Sequence, residues 1–282
     1  DNSGVWDFLS DGSKIWRLGI VSPGAVSLNL TFDKYRLPKG SQMFIYTPDR
    51  KNIIGAFTDF NNQNDGYFAT ILLPGDQIII EYYEPKDVDF SGEISLWRVT
   101  HGYRGVFEYA KDFGESGNCE VNVACPQSAG WENQIRSVAM LVSDGSGFCT
   151  GSLVNNTNND GTPYFLSANH CYANPSTVVF WFNWQSATCS NPGSSPTYLS
   201  VSGATDKAKN AASDFWLMQL NSAPPQNYNP YYAGWNRTTD NSLSGTVVGI
   251  HHPAGDIKKI SWSTLGVTTT TYLQTSTPDN AS

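Results

Sequence analysis

The order of apolar and polar side chains changes character once along the chain. Between Lys14 and Val99, short runs rich in Val, Ile, Phe and Tyr, several alternating with polar residues, are separated by Gly, Pro, Asn and Asp. A two-residue alternation puts one set of side chains on one face of a strand. These runs therefore predict strands at 14–20, 25–32, 42–46, 53–57, 67–72, 77–83 and 93–99. Turns such as Pro38-Lys39-Gly40 and Pro74-Gly75-Asp76 divide them, and no helical period of comparable strength competes. Seven strands at this spacing predict an antiparallel β-sandwich over residues 1–104. Residues 105–113, poor in aliphatic side chains, read as a linker. Residues 114–282 then form a second strand-rich domain with longer polar loops and more Ser, Thr, Asn and Gly.

The chain of 282 residues is 39% hydrophobic, enough for two cores of medium size. Its net charge of −8, from 17 Lys+Arg against 25 Asp+Glu, repels phosphate and argues against nucleic acid as a partner. The longest apolar runs, such as 77–83, are strand-sized and far below the roughly 20 residues of a membrane-spanning helix. The chain opens on Asp1 without a charged-then-apolar leader, so an export signal is expected to have been removed or to lie upstream. All five cysteines, Cys119, Cys125, Cys149, Cys171 and Cys189, fall in the second domain. No Cys-x2-Cys knuckle occurs among them, so disulfides in an oxidising compartment are the better reading than a metal site. The odd count leaves one cysteine without a partner.

The stretch that carries chemistry is Cys149-Thr-Gly-Ser-Leu-Val154 followed by Tyr164-Phe-Leu-Ser-Ala-Asn-His-Cys171. A disulfide joining these two cysteines would close a loop of about 22 residues, stabilise by roughly 3 kcal/mol and pin His170 beside it. A histidine held in one orientation can take the proton of an attacking hydroxyl and return it to a leaving amine, provided a carboxylate fixes its tautomer. Asp214 meets that need: it opens Ser213-Asp-Phe-Trp-Leu-Met-Gln-Leu220, whose alternation reads as a barrel strand.

These motifs, in the order His then Asp, resemble those of trypsin-like serine endopeptidases. A closer resemblance, to bacterial lysyl endopeptidases, rests on Gly114-Glu-Ser-Gly-Asn-Cys119, Val123-Ala-Cys-Pro126, Trp181-Phe-Asn-Trp-Gln-Ser186, Tyr232-Ala-Gly-Trp-Asn-Arg237 and Ile250-His-His-Pro253. It implies an all-β chain, with a sandwich pro-domain followed by a chymotrypsin-like β-barrel domain whose second barrel is incomplete. It also implies disulfides Cys149 with Cys171 and Cys125 with Cys189, a mature start at Gly114, and a secreted bacterial monomer acting on protein or peptide substrates. No metal or organic cofactor is implied. In the family the nucleophilic serine lies in a Gly-x-Ser-Gly-type turn well after the His-His-Pro segment, and no such turn follows Pro253 here. The nucleophile and the partner of Cys119 are both expected beyond Ser282, leaving residues 1–282 inactive alone.

Several residues invite other readings. Ser146 in Asp144-Gly-Ser-Gly147 superficially resembles a nucleophile turn, but it precedes His170 in a hairpin of the first barrel and reads as a surface turn. His251 and His252 are adjacent and point to opposite faces of a strand, which disfavours joint metal ligation. Two rival functions are a pseudoprotease that keeps the barrel as a binding module, and a sandwich whose Trp6, Trp16 and Tyr67 stack on sugars.

Overall fold

The computed structural model describes residues 3–102, 116–117, 119–143, 146–237 and 245–264. The chain divides into two compact units, the first built on Asp1–Tyr109 and the second mainly on Ala110–Val142, Gly147–Pro175 and Phe180–Ser282. The linker expected at 105–113 and the start expected at Gly114 lie outside the described residues.

The first unit contains β1 (Val5–Phe8), β2 (Lys14–Val21), β3 (Ser27–Arg36), β4 (Gln42–Tyr46), β5 (Ile53–Phe57), β6 (Phe68–Ala69), β7 (Leu73–Pro74), β8 (Gln77–Glu84) and β9 (Glu93–Gly102). They form two antiparallel sheets, one ordered β1-β2-β8-β4-β5 and the other with β6, β7 and β9 all paired to β3. Alternation in β8 runs exposed, buried, intermediate, buried, so Ile78, Ile80 and Tyr82 enter the core while their neighbours do not. Leu28, Leu30 and Phe32 of β3 share that core with Met43 and Ile45 of β4. Each such side chain contributes about 1.5–3 kcal/mol on burial.

The alternation rule failed at two places. The run at 67–72 holds only the two-residue β6, and β7 begins just after it at Leu73. Thr70 between them accepts the Leu30 N–H with its hydroxyl at 3.0 Å and donates its own N–H to the Leu30 carbonyl, which replaces regular pairing there. Strand β1 lies outside the runs that predict strands, and its four residues are all exposed.

The second unit contains β10 (Val121–Asn122), α1 (Glu132–Ser137), β11 (Val138–Ser143), β12 (Ser146–Val154), β13 (Tyr164–Ser167), β14 (Val179–Phe182), β15 (Leu199–Ser202), β16 (Ala204–Asn210), β17 (Phe215–Leu220), β18 (Val247–His251) and β19 (Lys259–Ser263). Seven strands make a sheet ordered β15-β14-β11-β12-β13-β17-β16, and three make a smaller one ordered β10-β19-β18. The chain is all-β, and the larger sheet is a half-barrel of the chymotrypsin-like kind. Its strands β11 and β14 are buried along almost their whole length, as expected of barrel staves with both faces covered. Ser146 is the first residue of β12, which neighbours β11 in the larger sheet.

Candidate active site

Strand topology accounts for the meeting of His170 and Asp214. Strand β13 pairs antiparallel with β17 in the register Phe165↔Met218, Leu166↔Leu217 and Ser167↔Trp216. The residues just after the end of β13 therefore lie beside those just before the start of β17. His170 occupies a short 3-10 turn, Asn169–Cys171, that follows β13, and Asp214 immediately precedes β17. Asp214 adopts φ 50, the left-handed region that aspartate tolerates better than most residues. Its two oxygens hold the same histidine twice. Oδ1 accepts the His170 backbone N–H at 2.8 Å, and Oδ2 lies 2.7 Å from His170 Nδ1.

This double grip fixes both the backbone and the ring. Nδ1 is assigned as the donor because its neighbour is a carboxylate oxygen, which makes Nε2 the basic nitrogen. Burial pushes the Asp214 carboxyl up, but hydrogen bonds from the His170 ring and from the His170 and Asn169 backbone outweigh it. The carboxyl is held below the ordinary aspartate range. The histidine side chain is half exposed, whereas that of Asp214 is mostly covered, the arrangement of a reachable base backed by a sheltered carboxylate.

The flanking covalent structure stiffens the site. Cys149 of β12 is joined to Cys171, adjacent to His170, across a Cα–Cα distance of 6.0 Å. The Ser167 hydroxyl donates to the Thr150 carbonyl at 2.9 Å, tying the end of β13 to β12. Next along β12 comes Gly151, where a Cβ would stand 2.2 Å from the Phe165 ring and 2.6 Å from the Leu166 carbonyl. Only glycine lets β12 pass so close under Phe165. Cys149, His170 and Cys171 are the one group of potential metal ligands close enough together among the described residues. Their two sulfurs are bonded to each other, so that trio has no thiolate to offer a metal.

A second disulfide joins Cys125 to Cys189, and Cys119 is an exposed free thiol. The smaller sheet is fastened close to that second bridge by polar contacts. Lys259 Nζ lies 2.9 Å from both Asn122 Oδ1 and Asn191 Oδ1, and Asn122 Nδ2 donates to the Cys189 carbonyl. His251 and His252 go separate ways. His251 Nε2 meets Glu120 Oε1 at 2.9 Å, whereas His252 is buried, stacks on Trp184 and has Nδ1 3.0 Å from the Asp256 carbonyl. Both are tied into the framework of the smaller sheet and its flank.

Sequence reasoning missed a cluster built on Tyr172 and Trp216, each two residues past a member of the dyad. Trp216, fully buried, donates its indole N–H to Asp206 at 2.6 Å and packs on Tyr172, whose ring lies under the Lys209 ammonium. Asp206 and Lys209 are an odd number of residues apart, which in a regular strand places them on opposite faces. A bulge between Asp206 and Ala208 shifts the register and brings them to one side. Nothing in the residue pattern marks that bulge. Lys258, fully buried with its ammonium on the Ile135 carbonyl at 3.0 Å, was missed for the opposite reason: a lysine is presumed exposed.

Two comparisons with known proteins bear on this geometry. Residues 113–281 match the sequence profile of the family described as lysyl endopeptidase, C-terminal domain. The lysyl endopeptidase of Pseudomonas aeruginosa is 28% identical over 292 aligned positions, which cover 95% of this chain and 61% of that protein. The chain thus spans about three fifths of the length of this relative.

Proposed function

The chain belongs to the lysyl endopeptidase C-terminal domain family, and from that premise we propose that His170 and Asp214 are the base and the orienting acid of a serine-type endopeptidase. The observation that carries this reading is the 2.7 Å contact between His170 Nδ1 and Asp214 Oδ2, reinforced by the second Asp214 oxygen on the His170 backbone. In this mechanism His170 Nε2 takes the proton of an attacking serine hydroxyl and passes it to the leaving amine. Water then resolves the acyl-enzyme with the same histidine as base. Asp214 keeps the ring in the Nδ1–H tautomer and stabilises the imidazolium as it forms. The reading calls on no metal or organic cofactor.

The nucleophile in this proposal is a serine outside residues 1–282, in the Gly-x-Ser-Gly-type turn that the family resemblance implies after His251-His252-Pro253. Cleavage after lysine follows from the family name of the relative and not from any pocket described above. The first unit is the pro-region in this reading, removed near Gly114, and the two disulfides fit an extracellular site of action. Secretion of an active protein with both units still joined would contradict the pro-region assignment.

The test uses the complete protein with a lysyl peptide ester. Asp214→Asn and His170→Ala are each expected to lower kcat/KM by about 10⁴-fold, as loss of the orienting acid or of the base does in such triads. A rate within a few-fold of the unaltered protein in either variant would refute the assignment. Residues 1–282 alone are expected to turn over no ester.

A further inference from the structure

Strand β1 is one of the two edges of the five-stranded sheet, unpaired on its outer side among the described residues. The Leu9 N–H donates to the Ser13 carbonyl at 2.8 Å, making Leu9 and Ser13 a hydrogen-bonded pair. Such pairs alternate along an antiparallel ladder. In the observed register, Val5↔Arg17, Trp6↔Trp16, Asp7↔Ile15 and Phe8↔Lys14, the bonded pairs are then those of Val5 and Asp7. Trp6 and Phe8 turn their N–H and C=O groups away from β2, and no other strand among the described residues pairs with them. Edges left in this state are usually blunted by lysine, proline or a bulge. Val-Trp-Asp-Phe has none of these, and its one charge, Asp7, is tied to Arg17 at 2.6 Å.

A cavity of about 230 Å³ lies beside that edge. Its walls include Trp6, Trp16 and Tyr82, which are directly opposite one another in the registers of β1, β2 and β8, with Ile94 of the other sheet and two glycines, Gly4 and Gly92. Several of the polar groups around it are already engaged. The Trp16 indole N–H donates to the Ser3 carbonyl, and both the Tyr82 hydroxyl and the Gly92 N–H donate to Glu84. Lys14 pairs with Glu84 and lies over the Trp6 ring. With its indole, phenol and Gly92 donors committed inside the protein, the aromatic wall suits an apolar guest better than a sugar, whose hydroxyls need partners there.

We infer that β1 is a docking edge for an extended peptide, which adds a strand alongside Trp6 and Phe8 and delivers one apolar or aromatic side chain into the Trp6–Trp16–Tyr82 cavity. The residue opposite Trp6 in the added strand shares the face of Trp6, so its side chain arrives at the cavity mouth. A four-residue edge and one small cavity bury a few hundred Å², less than the roughly 1,200 Å² of a stable protein–protein interface, which favours a short peptide over a second copy of the chain. This inference does not depend on the His170–Asp214 dyad.

The experiment follows the backbone amide resonances of Trp6 and Phe8 while acetylated, amidated Ser-Thr-Phe-Thr-Ser is titrated into residues 1–282. Both amides are expected to shift saturably. Phe8→Pro removes the outward N–H together with the exposed Phe8 ring and spares the bonded Val5 and Asp7 pairs, so it should weaken binding, read at Trp6, at least tenfold and well beyond Phe8→Ala, which removes the ring alone. Ile94→Trp, which fills the cavity from the opposite sheet, should do the same if Phe8→Pro perturbs folding. Equal binding of Ser-Thr-Ala-Thr-Ser, or binding indifferent to both substitutions, would overturn the inference. So would shifts of these amides by an N-acetylglucosamine trimer and not by the peptide, or dimerisation through β1 without any peptide.

Discussion

The two units of this chain reach order by different physical means. In the first, β3, β4 and β8 point Leu30, Ile45 and Ile80 into one shared core, no disulfide is present, and the buried polar groups are largely short side chains such as Ser27 and Thr31. In the second, the apolar core around Trp181, Phe165 and Trp216 is supplemented by two disulfides and by a group of buried charged or titratable side chains, His252, Asp256, Lys258 and Lys259. The difference teaches where a site can be built. A regular apolar sandwich specifies its fold through side-chain alternation alone, whereas a half-exposed histidine and its carboxylate need loops held by covalent and polar ties.

That contrast can be broken in stages. Removing the Cys125–Cys189 bridge, which spans 64 residues, should cost the second unit about 4 kcal/mol on the loop-entropy relation and leave the first untouched. Hydrogen exchange read separately in β3 and in β11 would show it, and equal loss in both units would erase the distinction. Ile80→Ala should cost about 3 kcal/mol, now in the first unit, by opening a cavity among fully buried neighbours. Denaturant unfolding checks the size, and exchange in β3 checks the place. A cost under about 1 kcal/mol would mean that the sandwich core is not its main support.

Lys258→Met should have the smallest effect and the opposite sign. Burial pushes the Lys258 ammonium down to about 7, against an ordinary lysine value of roughly 10.4. Between those values the unfolded chain binds more protons than the folded one, so stability rises with pH across that window and the burial penalty is complete below it. Burial, then the charge of Lys258, also keeps His252 well below its ordinary value, which adds to the loss of stability in acid. The substitution is expected to stabilise by about 2 kcal/mol at pH 6, with the gain fading toward pH 10. Thermal melts at the two pH values test it, and a gain independent of pH would contradict the sign.

Much of this was legible in the sequence, for reasons that differ between the units. Strand 77–83 is legible as a strand-sized run of Ile and Tyr after the Pro74-Gly75-Asp76 turn, and the structure extends it by one residue. Strand β1 was illegible because nothing buries it, so no alternation betrays it. In the second unit, His170 and Asp214 stood out through motifs, and the structure brings them together through the β13–β17 register. Other polar residues of the unit were hidden. The bulge that aligns Asp206 with Lys209 leaves no compositional trace, and Lys258 inverts the usual rule that lysines face water.

The central claim is that Asp214 holds the uncharged His170 ring in the Nδ1–H tautomer, leaving Nε2 to act as base. Ring-nitrogen NMR of His170 at alkaline pH reads this directly. The account predicts a protonated Nδ1 and an unprotonated Nε2 in the unaltered chain, and a shift toward the Nε2–H tautomer in Asp214→Asn. A ring already protonated at Nε2 before the substitution, or one whose tautomer ignores it, would contradict the account.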